Sequence, residues 1–334
     1  MGNKLYTGEN IEVFILTGNR LNFFKDSLDS ILKQTVKDIK ITVINNTDAD
    51  DGTELYVNSL QKMNSNIHYF RQNCRVSPAE NLETAKSLVS KDYVMFFHDD
   101  DILHSQYIEA VLSLLNSYEN VDLICSLLHS FTEKDEVIIK PFEQFKYRIF
   151  KNKYEFTKHI WVSYCTDGTS LCFPNLIYKS ENLKSLTIQR DKYGRASDKP
   201  IVINFLNDGI CIQFLEKDFF FYRNHSLQDT NAKVKSPNVE QIIEYLLFFK
   251  EKLNKDLYSV FLYSCYSLKW AISFYKWSNL NIDFSVYKFI KILRNKKVIS
   301  NLALLLYFLP TKLMTKPYNY MARNWLSKTY RRNK

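Results

Sequence analysis

Between residues 11 and 128 short apolar runs alternate with amphipathic stretches, and few folds accommodate that alternation. Residues 11–17, 39–44, 67–70, 93–98 and 121–128 have the near-continuous apolar character of strands covered on both faces. Between them, residues 21–33, 53–63, 78–89 and 105–116 place apolar side chains at helical spacing, as Leu21, Phe24, Leu28, Ile31 and Leu32 do. Pro78 suits the first turn of its helix, where no backbone N–H is needed. A strand–helix–strand series of this kind predicts an α/β fold with a mostly parallel sheet flanked by helices.

The run Tyr93-Val94-Met95-Phe96-Phe97-His98 leads directly into Asp99, Asp100 and Asp101. Three adjacent carboxylates at the end of a buried strand need a cation to offset their repulsion. The carboxyl ends of parallel strands form the rim where open α/β sheets bind ligands. A hard divalent ion bridging to a diphosphate fits carboxylates placed there; a solvated acidic turn capping the helix at Ser105 is the plainer alternative. The other strand ends are polar too: Thr17-Gly18-Asn19-Arg20, Asn45-Asn46, then Asn73 and Arg75.

From 129 to 225 the pattern is less regular. Residues 171–173 and 176–178 read as strands, 197–207 as a helix, and 210–215 with 219–223 as a strand pair. Beyond Ser236 the spacing is helical, over 238–252, 256–278, 283–294, 298–308 and 315–330. We therefore expect a catalytic domain over 1–235 and a helical C-terminal region over 236–334. Trp161 is a candidate sugar-stacking residue or a core residue.

Charge is divided unequally. Residues 284–334 hold 12 Lys or Arg and no Asp or Glu, which leaves 33 basic against 36 acidic residues elsewhere. Basic and aromatic residues on an apolar stripe, among them Lys288, Lys291, Arg294, Arg323 and Trp325, describe a helix lying at a lipid surface; a packed helical region with a solvated basic face is the other reading. The six cysteines form no CxxC pair, which predicts neither structural zinc nor a disulfide frame. Met1–Leu5 lacks a signal-peptide apolar stretch, and no apolar run approaches the roughly 20 residues of a spanning helix. A cytoplasmic protein, peripheral on the inner face of the cell membrane, is expected.

The order of motifs resembles the family 2 inverting nucleotide-sugar glycosyltransferases of the GT-A, Rossmann-like fold. Thr17-Gly18-Asn19-Arg20 stands where that family has a Thr-Tyr-Asn-Arg-like stretch, and Ser30-Ile31-Leu32-Lys33-Gln34-Thr35 matches its SILxQT phrase. Asn45-Asn46 precedes Asp51-Gly52-Thr53, Ala79-Glu80-Asn81 opens the helix before the acidic strand, and residues 97–103 contain the DXD region. The resemblance covers roughly residues 10–225. It implies that Thr17, Asn19 and Arg20 line the base and ribose site, and that Asn45 stands for a base- or ribose-contacting Asp. Arg75, Asn81 and Asp99 complete the donor set, with Asp99 at the ribose or metal. Asp100, as principal ligand, and Asp101 would hold Mn2+ or Mg2+, with His225 of Tyr222-Arg223-Asn224-His225 approaching metal or diphosphate. His98 occupies the position of the usual first Asp of DXD, so the working carboxylates are Asp99 and Asp101 or a shifted pair, and whether His98 or Asp101 completes the metal motif stays open.

An inverting transfer is one in-line displacement and needs a carboxylate base for the acceptor hydroxyl. The resemblance puts that base at Asp198, with Asp191 and Asp167 as alternatives. The implied donor is a nucleotide sugar, a UDP-sugar in the first instance. The implied acceptor is a saccharide, lipid-linked on a polyprenyl diphosphate. Two rival functions make distinct demands. A nucleotidyltransferase of similar fold needs a Gly-rich basic phosphate loop, and Thr17-Gly18-Asn19-Arg20 has a single Gly. A nucleic-acid-binding protein needs basic residues beyond the tail and a recognisable RNA-binding motif, so no nucleic acid is expected.

Overall fold

The computed structural model describes residues 4–166, 171–226, 228, 237–277 and 286–300. The first half alternates as the apolar pattern requires: β1 (Ile11–Thr17), α1 (Leu21–Leu32), β2 (Lys40–Asn45), α2 (Thr53–Gln61), β3 (Ile67–Arg71), α3 (Pro78–Leu88), β4 (Tyr93–His98), β5 (Ile102–Leu103), α4 (Tyr107–Ser117) and β6 (Val121–Cys125). β7 (His129–Thr132), β8 (Tyr147–Phe150), α5 (Lys153–Thr166), β9 (Leu176–Lys179), α6 (Arg190–Tyr193), α7 (Asp198–Phe205), β10 (Ile210–Phe214) and β11 (Phe220–Asn224) follow. α8 (Val239–Leu253), α9 (Leu257–Trp277) and α10 (Val286–Asn295) end the described chain. The helices expected over 298–308 and 315–330 fall almost wholly outside the described residues.

Eight strands form the main sheet in the order β3-β2-β1-β4-β9-β6-β10-β8. Every neighbouring pair is parallel except where β9 meets β4 and β6 and where β8 meets β10. A smaller sheet, β5-β11-β7, lies at the rim. The expected pairing of 210–215 with 219–223 is therefore corrected: both segments are strands, but β10 joins the main sheet while β11 pairs with β5 and β7. Residues 171–173 form no strand either. Pro174 lacks the N–H that a ladder needs, and Phe173–Asn175 is a 3-10 turn leading into β9.

Strand alternation sends successive side chains to opposite faces. Val13 and Ile15 of β1, with Met95 and Phe97 of β4, meet Phe24 and Leu28 of α1, Val57 of α2 and Val111 of α4 on one face. Phe14 and Phe96 point to the other, where Leu82 of α3, Trp161 of α5, Val202 of α7, Phe249 of α8, Trp270 of α9 and Leu293 of α10 share a second core. α8, α9 and α10 are thus layered on the main sheet through one continuous apolar mass. Trp161 belongs to that mass and not to a sugar platform: its ring stacks on Tyr263 at 5.2 Å and Trp270 at 5.6 Å. The Lys250 Nζ of α8 donates to the Lys297 carbonyl just past α10. Cys74, Cys125, Cys172 and Cys211 are free. No helix among the described residues is long and apolar enough to cross a membrane.

Candidate active site

The site is the rim where β1, β2 and β4 end, with residues from the small sheet above it. After β1 the chain needs Gly18, because a Cβ there would sit 3.1 Å from the Asn46 carbonyl oxygen. That close approach lets the Gly18 N–H donate to Asp99 Oδ2 at 3.2 Å. Asn19 adopts φ 57°, a left-handed conformation that Asn tolerates well, and its Oδ1 accepts from the Thr47 hydroxyl at 2.7 Å. Arg20, directly before α1, turns back onto the acidic triplet. Its Nη1 lies 2.7 Å from Asp100 Oδ2, and its Nη2 pairs with Asp99 Oδ1.

All three Asp side chains are buried. Burial pushes the Asp99 carboxyl up to about 6 against the pull of Arg20. Asp101 is driven well above the carboxylate range by burial and by Asp100 beside it. Asp100 goes the other way: burial opposes ionisation, but His98, Arg20 and His225 hold it below its ordinary value. His225 Nε2 lies 3.0 Å from Asp100 Oδ2. The main-chain N–H of Arg223 donates to Asp101 Oδ1 at 3.1 Å, while the buried Asp101 Oδ2 has no hydrogen-bond partner.

His98, Asp100 and Asp101 each offer a ligand atom within 4.8 Å of the others. Two carboxylates and one imidazole form a donor set that can hold a divalent ion, and the unpartnered Asp101 Oδ2 is the kind of atom such an ion satisfies. The sequence left the choice between His98 and Asp101 open; the fold brings both together with Asp100. His225 reaches the cluster through Asp100.

Of the remaining candidates, Thr17 and Asn45 end β1 and β2 at this rim. Thr17 is buried at the end of β1. Asn45 is buried too, with Nδ2 donating to Asp50 Oδ1 at 3.0 Å and Tyr69 OH at 3.1 Å, and with Oδ1 left as a partnerless acceptor. The Arg75 N–H donates to Asp48 Oδ1 at 2.8 Å, and the residue is exposed. Asn81 Oδ1 accepts from Gln72 Nε2 at 3.0 Å inside α3's packing. Asp198 begins α7, half-buried, accepts from the Phe173 N–H and lies within electrostatic reach of His98. Burial raises its carboxyl, with Lys199, His98 and Arg190 opposing. Asp191 is exposed, and Asp167 lies outside the described residues. Sequence reasoning missed Arg223 and Asp26 as parts of this site. Arg223 stood inside a recognised motif, but nothing in local spacing links it to Asp26 across the fold.

A mostly parallel sheet with a charged rim at the end of β4 is the architecture of a GT-A glycosyltransferase. The family model for glycosyl transferase family 2 matches residues 12–179, half of the chain, and the chain belongs to that family. It is therefore a transferase. It is 22% identical over 248 residues, covering 72% of this chain and 81% of the other, to an uncharacterised glycosyltransferase of Methanocaldococcus jannaschii. It is 32% identical over 107 residues to a GalNAc(5)-diNAcBac-PP-undecaprenol beta-1,3-glucosyltransferase of Campylobacter jejuni, across 32% of this chain and 34% of that one. In fold it is similar to S. aureus TarS 1-349 in complex with UDP-GlcNAc, with a TM-score of 0.63 at 15% identity over 89% of this chain and 83% of that one. It is also similar to a mannosyltransferase of Pyrobaculum calidifontis in complex with GDP-Man and Mn2+, with a TM-score of 0.52 at 14% identity over 95% of this chain and 83% of the other.

Proposed function

We propose that the chain moves a sugar, with inversion, from a UDP-sugar to a saccharide acceptor carried on a polyprenyl diphosphate, in the assembly of a bacterial surface polysaccharide. The observation that carries the reading is the His98–Asp100–Asp101 cluster with its buried, unpartnered Asp101 oxygen at the rim. A TarS complex with UDP-GlcNAc and a relative named for a PP-undecaprenol acceptor support the donor and acceptor classes.

Asp100, Asp101 and His98 would hold Mn2+ or Mg2+, with His225 steadying Asp100. When bound, the ion offsets the charge that develops on the departing diphosphate. Thr17, Asn19 and Asn45 take the nucleoside. Asn45 spends its amide N–H groups on Asp50 and Tyr69, which fixes its side chain at the end of β2. Arg20 keeps Asp99 and Asp100 ionised together. Asp198 removes the acceptor hydroxyl's proton as that oxygen bonds to the anomeric carbon. The carbon–oxygen bond to the nucleoside diphosphate breaks in the same step. The raised carboxyl of Asp198 suits a base, since it binds a proton more firmly than an ordinary aspartate.

Residues 1–235 carry this chemistry, and the basic region 236–334 holds the enzyme at the inner membrane surface. Asp198→Asn should cut turnover by about 10^2 to 10^4-fold while UDP binding, read by calorimetry, stays near wild type. Near-normal turnover would remove Asp198 as base. Deleting the chain from residue 284 should shift it from the membrane to the soluble fraction of lysed cells; an unchanged distribution would discard the membrane role.

A further inference from the structure

The mechanism above leaves Arg223 unused, yet its side chain is only 7% exposed and its groups are engaged on three sides. β11 runs antiparallel to β5, so Phe220 and Phe221 pair with Leu103 and Ile102, directly after the acidic triplet. That register brings the Arg223 main-chain N–H to Asp101 Oδ1 at 3.1 Å. Its Nε donates to the main-chain oxygen of Asp100 at 2.8 Å, and its Nη2 to Asp26 Oδ2 of α1 at 2.9 Å. The guanidinium lies 4.9 Å from the ring centres of both Phe23 and Phe131. Two residues on, His225 meets the Asp100 carboxylate, and its ring sits 4.5 Å from Phe23.

We propose that Arg223 is a positioning residue that sets Asp100 and Asp101 for a divalent ion; this rests on the metal-dependent reading of the rim. Three neighbouring carboxylates repel one another, and a cation paired directly with them, as Arg20 is, occupies the oxygens an ion needs. Arg223 avoids that conflict. Its side chain grips the Asp100 carbonyl, not the Asp100 carboxylate, and only its main chain touches Asp101. Its permanent charge steadies the cluster while one Asp101 oxygen stays open. The aromatic rings fix the plane of the guanidinium, and Asp26 anchors its far end on the helix that Arg20 precedes. A lysine, a point donor on a flexible stem, cannot hold both the carbonyl and Asp26 in one plane.

The test is calorimetric titration of Mn2+ in the presence of UDP, which needs no turnover, on the full chain. Groups that orient metal-binding side chains typically govern metal affinity about 10–100-fold. Arg223→Lys should weaken Mn2+ binding within that range and raise the Mn2+ needed for half-maximal activity, with kcat recovering at saturating Mn2+. Asp26→Asn, at a half-exposed site, should shift affinity the same way by less. Wild-type Mn2+ affinity in both variants, with Asp100→Ala abolishing binding, would overturn the proposal and leave the metal reading intact. Undiminished binding in Asp100→Ala would overturn both. Should Arg223→Lys fail to fold, Asp26→Asn decides, and an unchanged affinity there overturns the assignment.

Discussion

The segment up to residue 128 and the segment beyond it build the same sheet by different means. In the first, β1, β2, β3 and β4 pair with one another, β1 with β2 and β4, β2 with β3, and the helices between them make sense locally. α3 is specified by its own residues: Ser77 caps it, Pro78 opens it, and Glu80 returns to the Ser77 N–H. In the second, little makes sense locally. β9 enters antiparallel between β4 and β6, β8 closes the edge, and α5 takes partners as scattered as Arg148, Gln213, Leu262 and Trp270. The lesson is a division of labour. The early segment supplies a rim of polar strand ends, and the later one supplies the shape that closes over it.

Trp161→Ala tests this division of labour most severely. The Trp161 indole is fully buried and donates to the Leu262 carbonyl, while Trp270 donates to the Trp161 carbonyl. Losing it should cost about 3–5 kcal/mol, read by denaturant unfolding. A single cooperative transition would show that both segments stand or fall together. Two transitions, with the early segment melting later, would separate them.

A smaller effect comes from His159, buried between Arg148 at 3.1 Å and Gln213 at 2.9 Å. Burial, aided by the Arg148 charge, lowers its imidazole to about 3. An unfolded histidine titrates near 6.5, so below that pH the unfolded chain binds the extra proton. Stability therefore falls as pH drops from 6.5 towards 3, with a slope approaching about 1.4 kcal/mol per pH unit from this group. His159→Gln should flatten the acid limb of a pH series of melts, and an unchanged slope would clear the residue. The smallest effect belongs to the locally specified segment: Ser77→Ala should lose about 1 kcal/mol of stability, measured by the same denaturation and with donor affinity unaffected.

The legibility of the sequence follows this division. The strands and helices up to β6, the two-residue β5 excepted, are readable because apolar periodicity and caps act within a few residues. Asp99, Asp100 and Asp101 stood out because no buried strand end carries three charges without a reason. β7, β8 and α5 left no such trace. α5 packs apolar residues against several surfaces at once, so Trp161 looked as suited to a sugar as to a core. The small sheet was hidden for a related reason: β11 follows β10 closely, as a hairpin strand would, but its pairing is set by β5 and β7, which are distant in sequence. Arg223 gains its meaning only from that pairing.

The placement of β9 has a consequence for how the protein is made. β4, the strand that carries the acidic triplet, has one flank on β1 and the other on β9. During synthesis that second flank stays open until roughly 80 more residues have left the ribosome, on the order of 4–16 seconds at ordinary elongation rates. For that interval the nascent chain presents a bare apolar strand edge to the cell, and its need for a chaperone should be greatest just before β9 emerges.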